Sequence, residues 1–258
     1  MVNEGTPVPG ASEKTLKVME AALQHERFSD IVSKTQLSKA TVHRILSTLL
    51  SYEFLSGDAV QGYRAGPRFL ALAGAALDSV DISSYAQPIV DDLVREVDCT
   101  VHIGVVSGDE MVYAIRTDSS KPYKMRSRVG LSLPMHSSGM GKAVLATRTT
   151  EEVRALAQRT GLPARTGRTI TDIDTLVSEI ETVRSLGWAL DNGENEAGTV
   201  CVSAAIFDAT GRATHGLSIS SIALEHPGDS ISDLAPYAVD AAEQISRQLG
   251  CAPRCYGP

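Results

Sequence analysis

The stretch Leu37-Ser-Lys-Ala-Thr-Val-His-Arg-Ile-Leu-Ser-Thr-Leu-Leu50 reads as a helix with two different faces. Ser38 is a good N-cap, and Val42, Ile45, Leu46 and Leu49 recur at the i, i+3, i+4, i+7 spacing of a buried stripe. Away from that stripe stand Lys39, Ala40, Thr41, His43, Arg44 and Ser47. Small, hydroxyl-bearing and cationic side chains suit a DNA major groove, where Arg reaches guanine edges or phosphates and a small apolar group meets a thymine methyl. The same pattern also describes an ordinary amphipathic surface helix, so the flanking sequence has to decide.

Upstream, Ser12 is expected to cap a helix with Leu16, Met19 and Leu23 in one row, running to about Glu26. A short helix from Ser29 to about Thr35 turns Ile31 and Val32 inward, and Gln36-Leu37 makes the turn into the helix quoted above. That is the spacing of a helix-turn-helix, whose later helix lies in the groove. Downstream, Phe54-Leu-Ser-Gly-Asp-Ala-Val-Gln-Gly-Tyr-Arg64 reads as two short strands around a Gly/Asp turn, a wing that sets Arg64 beside the groove for phosphate or minor-groove contact. Gly66-Pro67 then breaks the chain, with Pro67 suited to the first position of a helix reaching about Val80. Phe69, Leu70, Leu72, Ala73, Ala76 and Leu77 make that linker helix apolar over more than half its circumference, which points to dimerisation.

At 258 residues, two domains are the natural expectation. The net charge of −7 argues against DNA only as a sum, because residues 1–80 balance eight basic against eight acidic groups while residues 81–258 hold sixteen against twenty-three. Between 34 and 68 the chain is locally basic, with Lys34, Lys39, Arg44, Arg64 and Arg68 against Glu53 and Asp58. No apolar run approaches a bilayer span, and Met1–Ala11 shows no basic-then-apolar signal, so a cytoplasmic protein without membrane contact is expected. Cys99, Cys201, Cys251 and Cys255 form no CxxC pair and have no His-rich partner segment. Neither a metal site nor a disulfide framework is indicated, and Cys251 and Cys255 read as free thiols in a loose tail. No cofactor is expected.

From Ile82 to Val97 an amphipathic helix opens a second pattern. Thr100–Val106 and Met111–Ile115 should pair as a hairpin across Ser-Gly-Asp-Glu, and Tyr123–Val129 alternates as a further strand. Ser137-Ser138 caps a helix from Gly139 to about Arg148, and helices follow over Thr150–Thr160 and Ile173–Leu186. Trp188–Leu190, Val200–Phe207 and His215–Ser220 are strands, and a helix from about Ser232 to Leu249 closes the chain. The expected class is α+β, with a mixed sheet carrying helices in the second domain. The Ser138-Gly-Met-Gly-Lys-Ala run is not a P-loop, since His136 stands at the first glycine position and Ala143 at the last. Its first-turn amides, at Gly139 and Met140, instead offer an anion site suited to a carboxylate.

Ala40-Thr-Val-His-Arg-Ile-Leu46 with Gly62-Tyr-Arg-Ala-Gly66 resembles the DNA-binding half of the IclR family of bacterial transcriptional regulators. Leu133–Ala146, Gly187–Gly198, Cys201–Asp208 and Leu217–Ser220 resemble, in the same order, that family's effector-binding domain. Gln36 stands where the family often has Gly, and Ala197 and Ala205 where Pro is common. Met1–Ala11, with Gly5, Pro7, Pro9 and Gly10 and little apolar content, is expected as a flexible arm and residues 251–258 as a tail. Between them the resemblance, which runs from about Glu13 to Leu249, implies a winged helix-turn-helix over 12–66, a linker helix over 67–81 and a GAF/PAS-like mixed α/β effector domain over 82–250. It implies homodimers that can pair into tetramers on double-stranded operator DNA, controlled by a small molecule. It carries the effector pocket onto Gly139, Met140, Asp191, Cys201, Ser218 and Ser220, with Met125 and Leu133 as apolar wall.

Each pocket residue has a plainer reading beside that one. Ser218 and Ser220 share a strand face that solvent alone can explain, Cys201 suits an apolar core, and Asp191 precedes an acidic loop of a kind usually solvated. If Asp191 faces the ligand, it should meet a hydroxyl or a protonated acid, since two ionised carboxylates repel. The leading function is a ligand-responsive regulator, a repressor of a catabolic operon released by a small, possibly aromatic, carboxylic acid. An activator of the same architecture is the alternative. An enzyme using His136 with Ser137 or Ser138, or His102 with Cys201, lacks an orienting third residue at any recognisable spacing.

Overall fold

The computed structural model describes residues 10–78 and 82–252, the side chains of 73–78 excepted. The chain forms two compact units, residues 1–80 and 81–258. Met1–Pro9 of the expected arm, the side chains of Ala73, Ala76 and Leu77, residues 79–81 and the tail from 253, Cys255 included, lie outside the described residues.

The first unit holds α1 (Ala11–Gln24), α2 (Phe28–Thr35), α3 (Lys39–Ser51), the hairpin β1 (Leu55–Asp58) and β2 (Gly62–Ala65), and α4 (Pro67–Asp78). Its core gathers Val18 and Ala22 of α1, Ile31 of α2, Val42, Ile45, Leu46 and Leu49 of α3, and Leu55 and Tyr63 of the wing. Ser38 caps α3 by accepting the Thr41 N–H. Ser12 does not cap α1: the helix starts one residue earlier, at Ala11, with Gly10 at the cap and no side-chain bond. The hairpin needs glycine at 57, because a Cβ there would sit 1.9 Å from the Gly62 carbonyl oxygen.

The second unit is built on one six-stranded sheet in the order β5-β4-β3-β8-β7-β6. The strands are β3 (Thr100–Ser107), β4 (Glu110–Thr117), β5 (Ser132–Pro134), β6 (Ala189–Asn192), β7 (Thr199–Phe207) and β8 (Ala213–Ile222). Every pairing is antiparallel, so the sheet is not mixed. On one face α5 (Ile82–Val97) and α9 (Ala235–Gln248) cover Val101, Ile103, Val202, Leu217 and Ile219. The other side carries α6 (Gly139–Leu145), α7 (Thr150–Thr160) and α8 (Ile173–Leu186), around Met111, Met135, Met140, Leu156 and Ile180.

Four sequence expectations differ from the structure. Tyr123–Val129 is not a strand. Its side chains are anchored singly, Tyr123 Oη to Ser221 and Glu225 and Ser127 Oγ to His102, and the strand that pairs with β4 on that edge is the short β5. Trp188 precedes β6, and α9 begins at Ala235, after a 3-10 turn over Ser230–Leu234. Cys251 is disulfide-bonded and not a free thiol, whereas Cys99 and Cys201 are free and buried. Among the described residues, no helix is long and apolar enough to cross a membrane.

Gln36 closes α2 in the left-handed region, at φ 56°. That conformation costs a residue with a Cβ about 1–2 kcal/mol and costs glycine nothing comparable. Gln36→Gly should therefore stabilise the first unit by about 1 kcal/mol, read as roughly fivefold slower hydrogen exchange of α1–α3 amides.

Candidate functional site

Strand parity makes one face of the large sheet polar. Val200, Val202 and Ala204 point to the α5/α9 core, so Cys201 and Ser203 point the other way. The register then sets Asp191 opposite Cys201, Cys201 opposite Ser220, Ser203 opposite Ser218, and Ser218 opposite His102. α6 lies over this row, and between them is a narrow cavity of about 30 Å³. Met125, Leu133, Gly139, Met140, Asp191, Cys201, Ser218 and Ser220 all line it. So do His102, Tyr113, Ser127, Ser138, Asn195, Glu196 and Thr199, which sequence reasoning did not assign to the pocket. For His102 a signal existed, a histidine in an apolar strand at the same parity as Thr100 and Gly104. The others arrive from loops and from registers that no local pattern specifies.

Most side chains around the cavity are buried, and their titrations shift accordingly. His102 is buried and bonded on both nitrogens, to Ser127 Oγ at 2.7 Å and to Ser220 Oγ at 3.2 Å. Burial and nearby Arg116, against Asp118, push its pKa down to about 3, so the imidazole is neutral. Burial, followed by the Glu194 charge, pushes Asp191 up to about 7, although its Oδ1 accepts the Glu194 and Asn195 N–H groups. Cys201 is pushed up to about 12 by burial. Ser138 caps α6, its Oγ accepting the Gly141 N–H, which leaves the Gly139 and Met140 amides without an intrahelical partner.

In the first unit, Ser38, Lys39, Ala40, His43, Arg44, Ser47 and Arg64 are exposed, and Thr41 is half-buried. Ser47 donates to His43 O, and the His43 ring meets Phe28 edge-on at 6.5 Å. Among the described residues, no ion pair engages Lys39, Arg44 or Arg64. These cations are thus available to an outside anion.

Residues 13–59 match the IclR helix-turn-helix domain, and residues 74–247 match the C-terminal domain of bacterial IclR transcriptional regulators. The chain belongs to the IclR family. It is 31% identical to the transcriptional regulator KdgR of Escherichia coli over 94% of both chains. It is likewise 31% identical to the regulator KipR of Bacillus subtilis, over 86% of this chain and 89% of KipR. Its fold matches that of an IclR-type regulator from Silicibacter sp. TM1040 with a TM-score of 0.83, at 25% identity, over 97% of this chain and 100% of the other. The repressor BlcR of Agobacterium tumefaciens matches with a TM-score of 0.73, at 25% identity, over 94% and 98% of the two chains.

Membership in the IclR family makes the protein a DNA-binding transcriptional regulator rather than an enzyme, and the side chains agree. His136 is buried with Nε2 on Pro163 O at 3.3 Å, and it is absent from the cavity lining. His102 is spent on two serines, and a thiol as high as that of Cys201 is no nucleophile near neutrality.

The approach of α6 to the sheet depends on Gly139, where a Cβ would lie 2.4 Å from Ser203 Oγ and 3.1 Å from its Cβ. Gly139→Ala should cost about 1–3 kcal/mol through overpacking. Adding Ser203→Gly should recover part of that loss in thermal unfolding.

Proposed function

We propose that this IclR-family protein is a repressor whose grip on a palindromic operator is released by a small hydroxylated carboxylic acid bound in the sheet–α6 cavity. The carrying observation is the convergence of Asp191, Cys201, Ser218, Ser220 and the Gly139 and Met140 amides on one buried space. The amides suit a carboxylate, the serines suit hydroxyls, and Asp191, raised to about 7, offers a protonated carboxyl below that pH. The repressor sign follows BlcR and the 29%-identical regulator of Escherichia coli named as the transcriptional repressor AllR.

In this reading residues 12–66 hold DNA, 67–81 join the halves and 82–250 sense the ligand. Two copies present their α3 helices to the two half-sites, and dimers pair into tetramers. Lys39, Ala40, Thr41, His43, Arg44 and Ser47 face base edges or phosphates, with Ser38 at the helix start and Arg64 on the backbone. The ligand acts through its differential affinity for two states of the protein.

Arg44→Ala should weaken operator binding by about 1–3 kcal/mol and relax specificity at one position of each half-site, with circular dichroism unchanged. An unaltered footprint would remove α3 from the groove.

In the unfolded chain the Asp191 carboxyl loses its proton near 3.8, and in the folded chain near 7. Stability from this group therefore falls as pH rises between those values, and an anion that needs the neutral acid binds best at the lower end. In a thermal-shift panel of keto acids, hydroxy acids and hydroxybenzoates, the stabilising compound should bind evenly below pH ~6 and about tenfold more weakly per pH unit above ~7. Asp191→Asn should flatten that profile. A panel in which only neutral or cationic compounds raise Tm would sink the carboxylate assignment.

A further inference from the structure

The turn after β6, residues 193–198, supplies Asn195 and Glu196 to the cavity and has no strand to pair with along that stretch. The carbonyls of residues 192–195 are nevertheless satisfied in turn from one neighbouring segment. Arg168 Nη1 donates to Asn192 O at 3.1 Å and to Asn192 Oδ1 at 2.7 Å. Thr166 Oγ1 donates to Gly193 O at 2.7 Å, Thr169 Oγ1 to Glu194 O at 2.7 Å and Arg165 Nε to Asn195 O at 3.1 Å. Four successive carbonyls are thus held by four side chains within five residues of sequence.

Thr169 is the hub of this latch. Besides donating to Glu194 O, its Oγ1 accepts the Arg165 N–H at 3.0 Å and the Thr166 N–H at 2.9 Å. One hydroxyl therefore stitches the segment to itself and to the turn. From the inside, Lys142 Nζ lies 2.5 Å from Glu194 Oε1 and 2.8 Å from Glu179 Oε1, with no exposed side-chain surface of its own. Two carboxylates on one buried ammonium keep it charged and tie the turn to α6 and α8 together. Asp191 Oδ1 completes the hold by accepting the Glu194 and Asn195 amides.

We propose that Thr169 and Lys142 are positioning residues of the effector cavity: neither lines it, and together they fix the turn that carries Asn195 and Glu196 against the ligand. The two act differently. Arg165 and Arg168 are exposed, so the latch around Thr169 exchanges with water and is the part that releases when the cavity opens. The Lys142 tie is buried and stays closed, acting as the hinge end of the turn. The effector role of the cavity rests on the function proposed above, whereas the mechanics rest on the hydrogen bonds alone.

Hydrogen exchange of the ligand-free full chain separates the two. Thr169→Val keeps the shape and removes the hydroxyl, and it should accelerate exchange of the Glu194 and Asn195 amides at least tenfold while β3, β7 and β8 amides stay at their wild-type rates. Thr169→Ser should restore slow exchange. Lys142→Met should loosen the same amides further, and Thr169→Val carries the test alone if that variant does not fold. Unchanged turn amides in Thr169→Val, or acceleration spread evenly through the strands, would overturn the assignment. Where a carboxylate from the panel stabilises the wild type, Thr169→Val should raise its Kd at least fivefold, and an unchanged Kd would equally overturn it. If no carboxylate stabilises the wild type, the effector assignment fails and the exchange result still decides the latch.

Discussion

The flat seating of α6 on the polar face of the sheet is the contact from which the chemistry of the second unit follows. Three glycines permit it: Gly139 against Ser203, Gly141 against the Met135 backbone and Gly216 against Met140, each leaving less than 3 Å for an added Cβ. Had the helix stood off by the width of a methyl group, water would reach Ser203, Ser218 and His102, and none of the shifted titrations would survive. With the helix down, His102 has to remain neutral and Asp191 is biased toward its acid form. The polar row of the sheet then becomes a set of hydrogen-bonding groups lacking bulk solvent, the condition under which a ligand hydroxyl or carboxylate discriminates strongly.

Charge is arranged just as tightly. No lysine or arginine lines the cavity. The nearest buried cation, Lys142, is committed to Glu179 and Glu194, and Arg116 is committed to Asp118 and the Ser127 carbonyl. On the function proposed above, a ligand anion would meet amide dipoles and hydroxyls rather than a counter-ion, with the Asp191 and Glu196 carboxyls beside it. On that reading a small, well-oriented acid would be favoured over a bulky multiply charged one, because dipoles stabilise charge only at close range and in fixed geometry.

Much of this was legible in the sequence, for identifiable reasons. The helix-turn-helix announces itself through the 3.6-residue stripe of Val42, Ile45, Leu46 and Leu49, and Ser38 caps α3 by a bond between neighbours in the chain. The cavity face was half legible, since Ser218 and Ser220 share a side by strand parity, and Gly139 and Met140 share a helix start. Long-range register was not: Ser218 finds His102 across 116 residues of sequence only because β3 pairs with β8. Tyr123–Val129 alternates like a strand but spends its polar atoms on side-chain anchors, a tertiary choice that local period cannot reveal. The pairing of Lys142 with Glu194 and the Thr166–Thr169 latch were invisible for the same reason. Charged and hydroxyl side chains carry no local mark of which partner, dozens of residues away, they will meet.

Both units hold paired and unpaired cations, and the unpaired ones of the first unit bear on how an acidic chain can bind DNA. In the second unit Arg95, Arg116, Lys121, Lys142, Arg159, Arg184 and Arg247 are each neutralised by a carboxylate of the same unit. In the first, Lys39, Arg44 and Arg64 stand exposed and without ion pairs among the described residues, on α3 and the wing. A protein of net charge −7 can therefore bind a polyanion without contradiction. Its acidic excess lies in the second unit, while α3 keeps exposed cations of the kind that release counter-ions from phosphates on contact. That electrostatic contribution is sequence-independent, so on the function proposed above discrimination between operators would fall to the α3 groups that reach base edges.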